Sequence, residues 1–372
     1  MKRIFKDGLP HHVYCKGVNG NVIFYSTADC IFFFTLYSCL SRKYGIRTGA
    51  FSIMPNHTHS QQEAQNQKTF IAFNRECLST FTRGYNSQHR RSGELFQSPF
   101  GSAPKMVGKT IKSNISYINN NGTSGRLSKG VLDYRWNLMA YYFSSHPFSE
   151  KIIQNRASKR MREALRFVDR CRQENKPLDY KLQSMLFKGL NTKERKQLLD
   201  YIIYRYNFLD YNAILKHYKS MEEALMAMDA NTGSEHDLKE DWEDYSVYRR
   251  MIEKAACSGI EMETVNFEGC DKDELFTVAI LLSGATGDKK KVGRFLHLDP
   301  KKQPAGDKET IEGDCETIAG DSADSAENAP SAAPPLHLGV PADTYLEQKR
   351  HSTEINAAEG TLLCRFCRIF VS

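Results

Sequence analysis

The hydrophobic period of the first 121 residues switches repeatedly between that of a strand and that of a helix, and this constrains the fold more than any other feature. HHVYCK (11–16) and NVIFYS (21–26) have short strand character on either side of Gly17 and Gly20, which read as turn residues. Asp29 is placed to cap a helix running to about Tyr44, and Gly45 is its stop signal. A strand over 46–53 leads into Met-Pro-Asn-His-Thr-His. Phe70, Phe73, Cys77, Leu78 and Phe81 recur at helical spacing between Lys68 and Tyr85, and Val107, Ile111, Ile115 and Ile118 do so between Lys105 and Asn121. Strand, helix, strand, strand, helix is the order of a small α+β sandwich.

Beyond residue 148 the pattern becomes helical and highly charged, as in SKRMREALRFVDRCRQ (158–173) and TKERKQLLDYIIYRYNFL (192–209). A separate all-α domain is expected over 149–300. It ends in DELFTVAILLSGATGDKKKVGRFLHL (273–298), which reads as helix, glycine-containing turn, helix, and so as a helix-turn-helix. From Lys301 to Asn328 the chain carries eight acidic and three basic residues and almost no large apolar side chains, so 301–372 is expected to be mostly disordered. A length of 372 residues suits two domains and an appendage. The longest apolar run, near Ile31–Tyr37, is far short of the ~20 residues of a membrane span, and no membrane partner is expected. The N-terminus lacks a secretory apolar core, so the ten cysteines are expected to be reduced thiols of a cytoplasmic protein. The pair Cys364 and Cys367 has no second pair to complete a zinc site.

His57 and His59 stand two apart in a segment that reads as extended, so both side chains share one sheet face and suit a metal. On spacing alone the commoner reading is a polar sheet face. In SNISYINNNG, Tyr117 and Asn121 are one helical turn apart and share a face. Equally, Tyr117 reads as a core-edge aromatic and Asn121 as a C-cap before Gly122. Together the two segments supply a hydroxyl, an amide oxygen and two imidazoles, an open donor set that admits Mg²⁺ or Mn²⁺. A tyrosine of ordinary pKa needs such help, because its phenol is a poor nucleophile at neutral pH.

Five stretches in order, His12-Val13-Tyr14, the MPNHTH box, GYNSQHRRSGELFQSPF (84–100), SYINNNG and YRWNLMAY (134–141), resemble the HUH-type single-tyrosine transposases, especially the REP-associated branch. The resemblance covers about 135 residues and places a nuclease domain at 1–148. It implies a ferredoxin-like antiparallel sheet with helices, metal ligation by His57, His59 and Asn121, and a covalent 5′-phosphotyrosine at Tyr117. In three places the chain departs from the family. Thr58 replaces a hydrophobic residue, Gly122 stands where proline is frequent, and SQQEAQNQ (60–67) replaces an apolar strand. The last departure predicts either a short strand or a solvated sheet edge.

Ten basic residues against three acidic between Arg75 and Arg135, interleaved with Tyr85, Phe96, Phe100 and Tyr134, suit a single-strand groove. The same pattern also suits a solvated basic face over core aromatics. The expected DNA contacts are Arg83, Arg90, Arg91, Lys105, Lys109 and Lys112, with Arg90 and Arg91 favoured by their place in the motif-bearing loop. Lys290, Lys291 and Arg294 on the second helix of the helix-turn-helix would add duplex contacts. The leading expectation is a metal-dependent DNA endonuclease and strand transferase acting on single-stranded or hairpin DNA as a monomer or homodimer. The rivals are a DNA-binding protein that recognises palindromic or hairpin DNA without chemistry, and a protein-interaction module over 150–256.

Overall fold

The computed structural model describes residues 4–97, 100–230, 244–260 and 272–298, with side chains left undescribed over 272–277. All of them fall in one compact unit, 1–303. The expected tail, 301–372, and the Cys364–Cys367 pair lie outside the described residues.

The first elements are β1 (His11–Lys16), α1 (Thr27–Tyr44), β2 (Arg47–Met54), β3 (His57–Glu63), α2 (Gln67–Gln88), β4 (Gly101–Pro104) and α3 (Gly108–Ser124). The strands form one sheet in the order β2-β3-β1-β4, with every pairing antiparallel. The protein is thus α+β, and βαββαβ in this strand order is the split βαβ arrangement of ferredoxin-like sheets.

Several local expectations change. Asp29 is not the cap of α1: Ser26 is, and Asp29 at the third helical position closes a capping box with it. The carboxylate of Asp29 is fully buried and also receives the Tyr25 N–H at 3.1 Å, His89 Nε2 at 3.0 Å and the Tyr180 hydroxyl at 2.8 Å. Gly45 does end α1, in the left-handed region at φ 64°. NVIFYS is not a strand. Its Ile23 and Phe24 N–H groups both donate to the Pro55 carbonyl, at 2.8 and 2.9 Å, so the segment wraps the β2–β3 turn instead of joining the sheet. β4, four residues long, has too little alternation to be visible in the sequence. Helix α3 runs on through Gly122 to Ser124 and is capped by Gly125, which removes Asn121 from a C-cap role.

The polar run after His59 produces neither a short strand nor a solvated edge. β3 extends seven residues to Glu63 between β1 and β2, and Ser60, Gln61 and Gln62 are buried. Both glutamines find a partner across a layer, and Ser60 is bonded within the strand. Gln61 Nε2 donates to Asn114 Oδ1 of α3 at 2.9 Å, while Gln62 exchanges hydrogen bonds with Asn74 of α2 and donates to Ser60 Oγ at 2.9 Å. A buried amide so matched avoids the desolvation cost of about 1–3 kcal/mol that an unmatched one carries.

β3 therefore has two unlike faces. Thr58, Ser60 and Gln62 lie with Val13, Cys15 and Phe51 towards α1 and α2, where Phe33, Tyr37, Phe73 and Phe81 pack edge to face. His57, His59 and Gln61 look towards α3.

Further helices surround this sandwich: α4 (Lys159–Gln173), α5 (Tyr180–Phe187), α6 (Thr192–Tyr206), α7 (Tyr211–Leu215) and α8 (Met221–Asp229). α6 lies behind α1, where Ser38 Oγ donates to the Tyr206 carbonyl at 2.5 Å. α8 reaches α3, with Tyr218 bonded to Ser116 at 2.8 Å just before it and Asp229 accepting from Val131 N–H at 2.8 Å. Val13, Phe51, Ile115, Leu165, Tyr206 and Met228 belong to one buried cluster, which runs across residue 148. Then follow α9 (Ser246–Cys257), α10 (Lys272–Ser283) and α11 (Lys289–Phe295). α11 docks on the β1–α1 connection. Val22 N–H donates to the Arg294 carbonyl at 3.1 Å, and the Tyr25 hydroxyl donates to that of Phe295. No helix among the described residues is long and apolar enough to cross a membrane.

Candidate active site

Strand alternation puts His57 and His59 on the α3 face of β3, as their spacing predicts. Their rings meet edge to face with centroids 4.7 Å apart. Tyr117 lies against the second of them, 5.6 Å from the His59 ring at a steep 81°. His57 is 5%, His59 1%, Tyr117 8% and Asn121 8% exposed, so the group is enclosed.

Two side chains outside the expected set hold the histidines. His12 on β1 points to the same face, and its Nε2 shares a hydrogen bond of 2.8 Å with His59 Nδ1. Its ring also meets Tyr117 at 5.8 Å. Asn56 donates through Nδ2 to the Gly20 carbonyl at 3.0 Å, which turns its Oδ1 to His57 Nδ1 at 2.6 Å. An amide oxygen only accepts, so His57 carries its proton on Nδ1 and, when neutral, its lone pair on Nε2.

Asn121 is one turn beyond Tyr117. Its Nδ2 donates to the Ile118 carbonyl at 3.3 Å, which leaves the amide oxygen as the donor atom for a ligand. The next turn ends at Gly125, packed against Met54 and Tyr245, and Met54 is the cross-strand partner of His57. α3 thus runs from His59 at Tyr117 towards the His57 end of the strand, with Asn121 between. Gly122 is required here because a Cβ would enter the Tyr134 ring. Tyr134 itself is no rival nucleophile: burial pushes its phenol far above the ordinary range, and its hydroxyl donates to the Ile53 carbonyl.

Tyr245 closes the outer side of the group. Its ring lies 5.4 Å from that of His57, and its N–H donates to the Gly125 carbonyl at 3.1 Å. Arg126–Asp244 at 3.4 Å and Arg249 to the Leu127 carbonyl at 2.6 Å fasten the same segment to the end of α3.

The expected DNA contacts separate into groups. Arg90 is exposed and Arg91 is held by Asn86 Oδ1 at 2.7 Å and the Glu94 carbonyl at 3.2 Å, in the loop that pairs Phe96 with Gly17. Lys290 is exposed on α11, Lys291 reaches the Asp244 carbonyl at 3.4 Å, and Arg294 lies against Gly20. These five gather around the 17–26 connection, at the end of the sheet where β3 begins. Lys105, buried, and Lys109, exposed, sit at the opposite end with Lys112, which is taken up by Glu223 at 3.4 Å and the Tyr218 ring at 4.3 Å. Arg83 is exposed on α2, in the helical layer across the sheet from Tyr117.

Among the described residues no group of three or more His, Cys, Asp or Glu side chains is arranged to hold a metal. A set with an amide oxygen as third donor falls outside those residue types. Of the residues missed, His12 was detectable by the alternation that reveals His59, and Asn56 by its adjacency to His57. Tyr245 left no signal, because a contact so distant along the chain exists only after folding.

No protein-family profile matches the chain. No curated protein matches it either. Among solved structures, it is similar to a REP-associated tyrosine transposase bound to a REP hairpin, at 15% identity and a TM-score of 0.34, over 43% of this chain and 96% of that one.

Proposed function

We propose that this protein nicks and rejoins single-stranded or hairpin DNA through Tyr117, with a divalent metal, Mg²⁺ or Mn²⁺, held by His57, His59 and Asn121. The observation that carries this reading is the placement of the Tyr117 ring against His59 and His12 on the sheet face that also bears His57. The donors fit such an ion, since Asn56 fixes the ring of His57 with Nε2 as the lone-pair nitrogen and Asn121 offers its oxygen. When bound, the ion polarises a non-bridging phosphate oxygen and orients the scissile bond.

The Tyr117 oxygen, having lost its proton, forms a bond to phosphorus while the bond from phosphorus to the 3′ oxygen breaks. That oxygen takes up a proton, so the products are a 5′-phosphotyrosine and a free 3′ hydroxyl, and reversal rejoins the strand. The chain from 1 to 148 carries this chemistry, while 149–300 buttresses it and presents α10 and α11 as a helix-turn-helix to a duplex or hairpin stem.

The test offers Mn²⁺ and labelled hairpin DNA to the full chain and looks for an adduct stable to denaturant. The adduct is expected with wild type and absent with Tyr117→Phe. An equal yield from Tyr117→Phe would end the proposal. Enclosure of the site beneath Tyr245 favours one second reading, a hairpin-binding protein without chemistry. Hairpin binding that survives both Tyr117→Phe and His57→Ala, with no adduct in any metal, would establish it.

A further inference from the structure

A cavity of about 350 Å³ opens between α4, α6 and the connection that precedes α4, in the helical layer behind α1. Its apolar wall is formed by Leu165 and the ring of Tyr201, and its cations are Lys151, Arg162 and Arg166. Arg162 and Arg166 are one helical turn apart and both face the cavity. The Arg162 guanidinium is steadied by a 2.6 Å hydrogen bond to the Ala157 carbonyl. The Lys151 ammonium and the Arg166 guanidinium have no hydrogen bond or ion pair among the described residues, and the Lys151 carbonyl accepts from Gln197 Nε2 at 3.4 Å.

The single carboxylate of the lining, Asp169, does not neutralise these charges. It is occupied by Arg205 at 2.7 Å and by the Tyr201 hydroxyl at 2.9 Å to each oxygen. What remains is a positively charged recess beside an apolar wall, of a volume typical of small-ligand sites. Paired guanidinium groups match the geometry of phosphate oxygens, and an aromatic ring offers a surface to a base or sugar.

We propose that this cavity is a nucleotide site, with Arg162, Arg166 and Lys151 on the phosphate and Tyr201 and Leu165 against the nucleoside. The assignment is independent of the chemistry at Tyr117. The nucleotide is either free or one unit of a DNA strand, and both present the same phosphate.

Calorimetric titration of the full-length Tyr117→Phe protein at low salt tests this with deoxyadenosine 5′-monophosphate, deoxyadenosine and an octathymidylate strand. Saturable binding of the monophosphate is expected, about tenfold or more tighter than deoxyadenosine, and weakened about tenfold by Arg166→Gln. Arg166 is exposed on α4, so this variant should keep the wild-type melting temperature, and Lys151→Gln on the connecting segment provides a second measure. If Arg166→Gln weakens the strand as much as the monophosphate, the occupant is a DNA unit. If it weakens the monophosphate alone, the occupant is a free nucleotide. Equal binding of monophosphate and nucleoside, or no change for any probe in either variant, overturns the proposal.

Discussion

The two faces of β3 differ in kind although their residues alternate along the same seven positions. Towards α1 and α2, Ser60 and Gln62 are hydrogen-bonded within a layer of phenylalanines, and Gln62 is satisfied by Asn74 alone among the side chains of α2. Towards α3, His57 and His59 are bonded to Asn56 and His12, which orient them, and Tyr117 lies against the rings of His59 and His12. The first face uses polar groups to complete a core. The second uses neighbouring polar groups to fix the orientation of two imidazoles, as the proposed chemistry requires. Burial alone does not separate the two, since both are enclosed.

Substitutions that strike one face and spare the other test this contrast. The largest effect is expected from Tyr117→Phe, which should lower the yield of covalent DNA adduct by ~10⁴-fold or more while keeping the melting temperature, because the ring still packs. The opposite pattern is expected from Phe81→Ala, whose ring is fully buried between Phe24, Phe32 and Phe33: chemical denaturation should show a loss of about 3–5 kcal/mol. Asn56→Ala should release the ring of His57 and weaken Mn²⁺ binding by about 10–100-fold, measured by calorimetry on the folded protein. Unchanged affinity would mean that Asn56 serves only the Gly20 connection.

Gly122→Ala drives a methyl group into Tyr134 and should cost about 1–3 kcal/mol in a denaturant titration, with Tyr134→Ala relieving part of it. The smallest effect concerns pH. His11 lies on the α1–α2 face, stacked on Phe5, and accepts from the Lys6 N–H at 3.1 Å. Burial holds its pKa below the ordinary 6.5. Above 6.5 both folded and unfolded chains are neutral here and the stability is full. As pH falls below 6.5 the unfolded chain takes the proton first, so stability declines until the pH passes the lowered folded value. Melting temperatures across this range should slope less in His11→Phe; an unchanged slope would assign the dependence to another group.

Much of the sandwich was legible in the sequence because period and punctuation are local. The spacing of Phe70, Phe73, Cys77 and Phe81 marked α2, and Gly45 marked the end of α1. Alternation put His57 and His59 on one face, and a four-residue offset put Tyr117 and Asn121 on one side of a helix. Failures came where the deciding partner is remote. Strand-like NVIFYS is diverted by the Pro55 carbonyl, and the polar stretch SQQ stays in a buried strand because Asn74 and Asn114 receive it. The sequence by itself therefore determined which residues share a face. Only the tertiary structure decided that Tyr117 comes to rest on His59, that His12 and Asn56 orient the imidazoles, and that Tyr245 lies against His57. Hydrogen bonds and ring contacts of this kind depend on distances between segments far apart in the chain, and no periodicity within one segment encodes them.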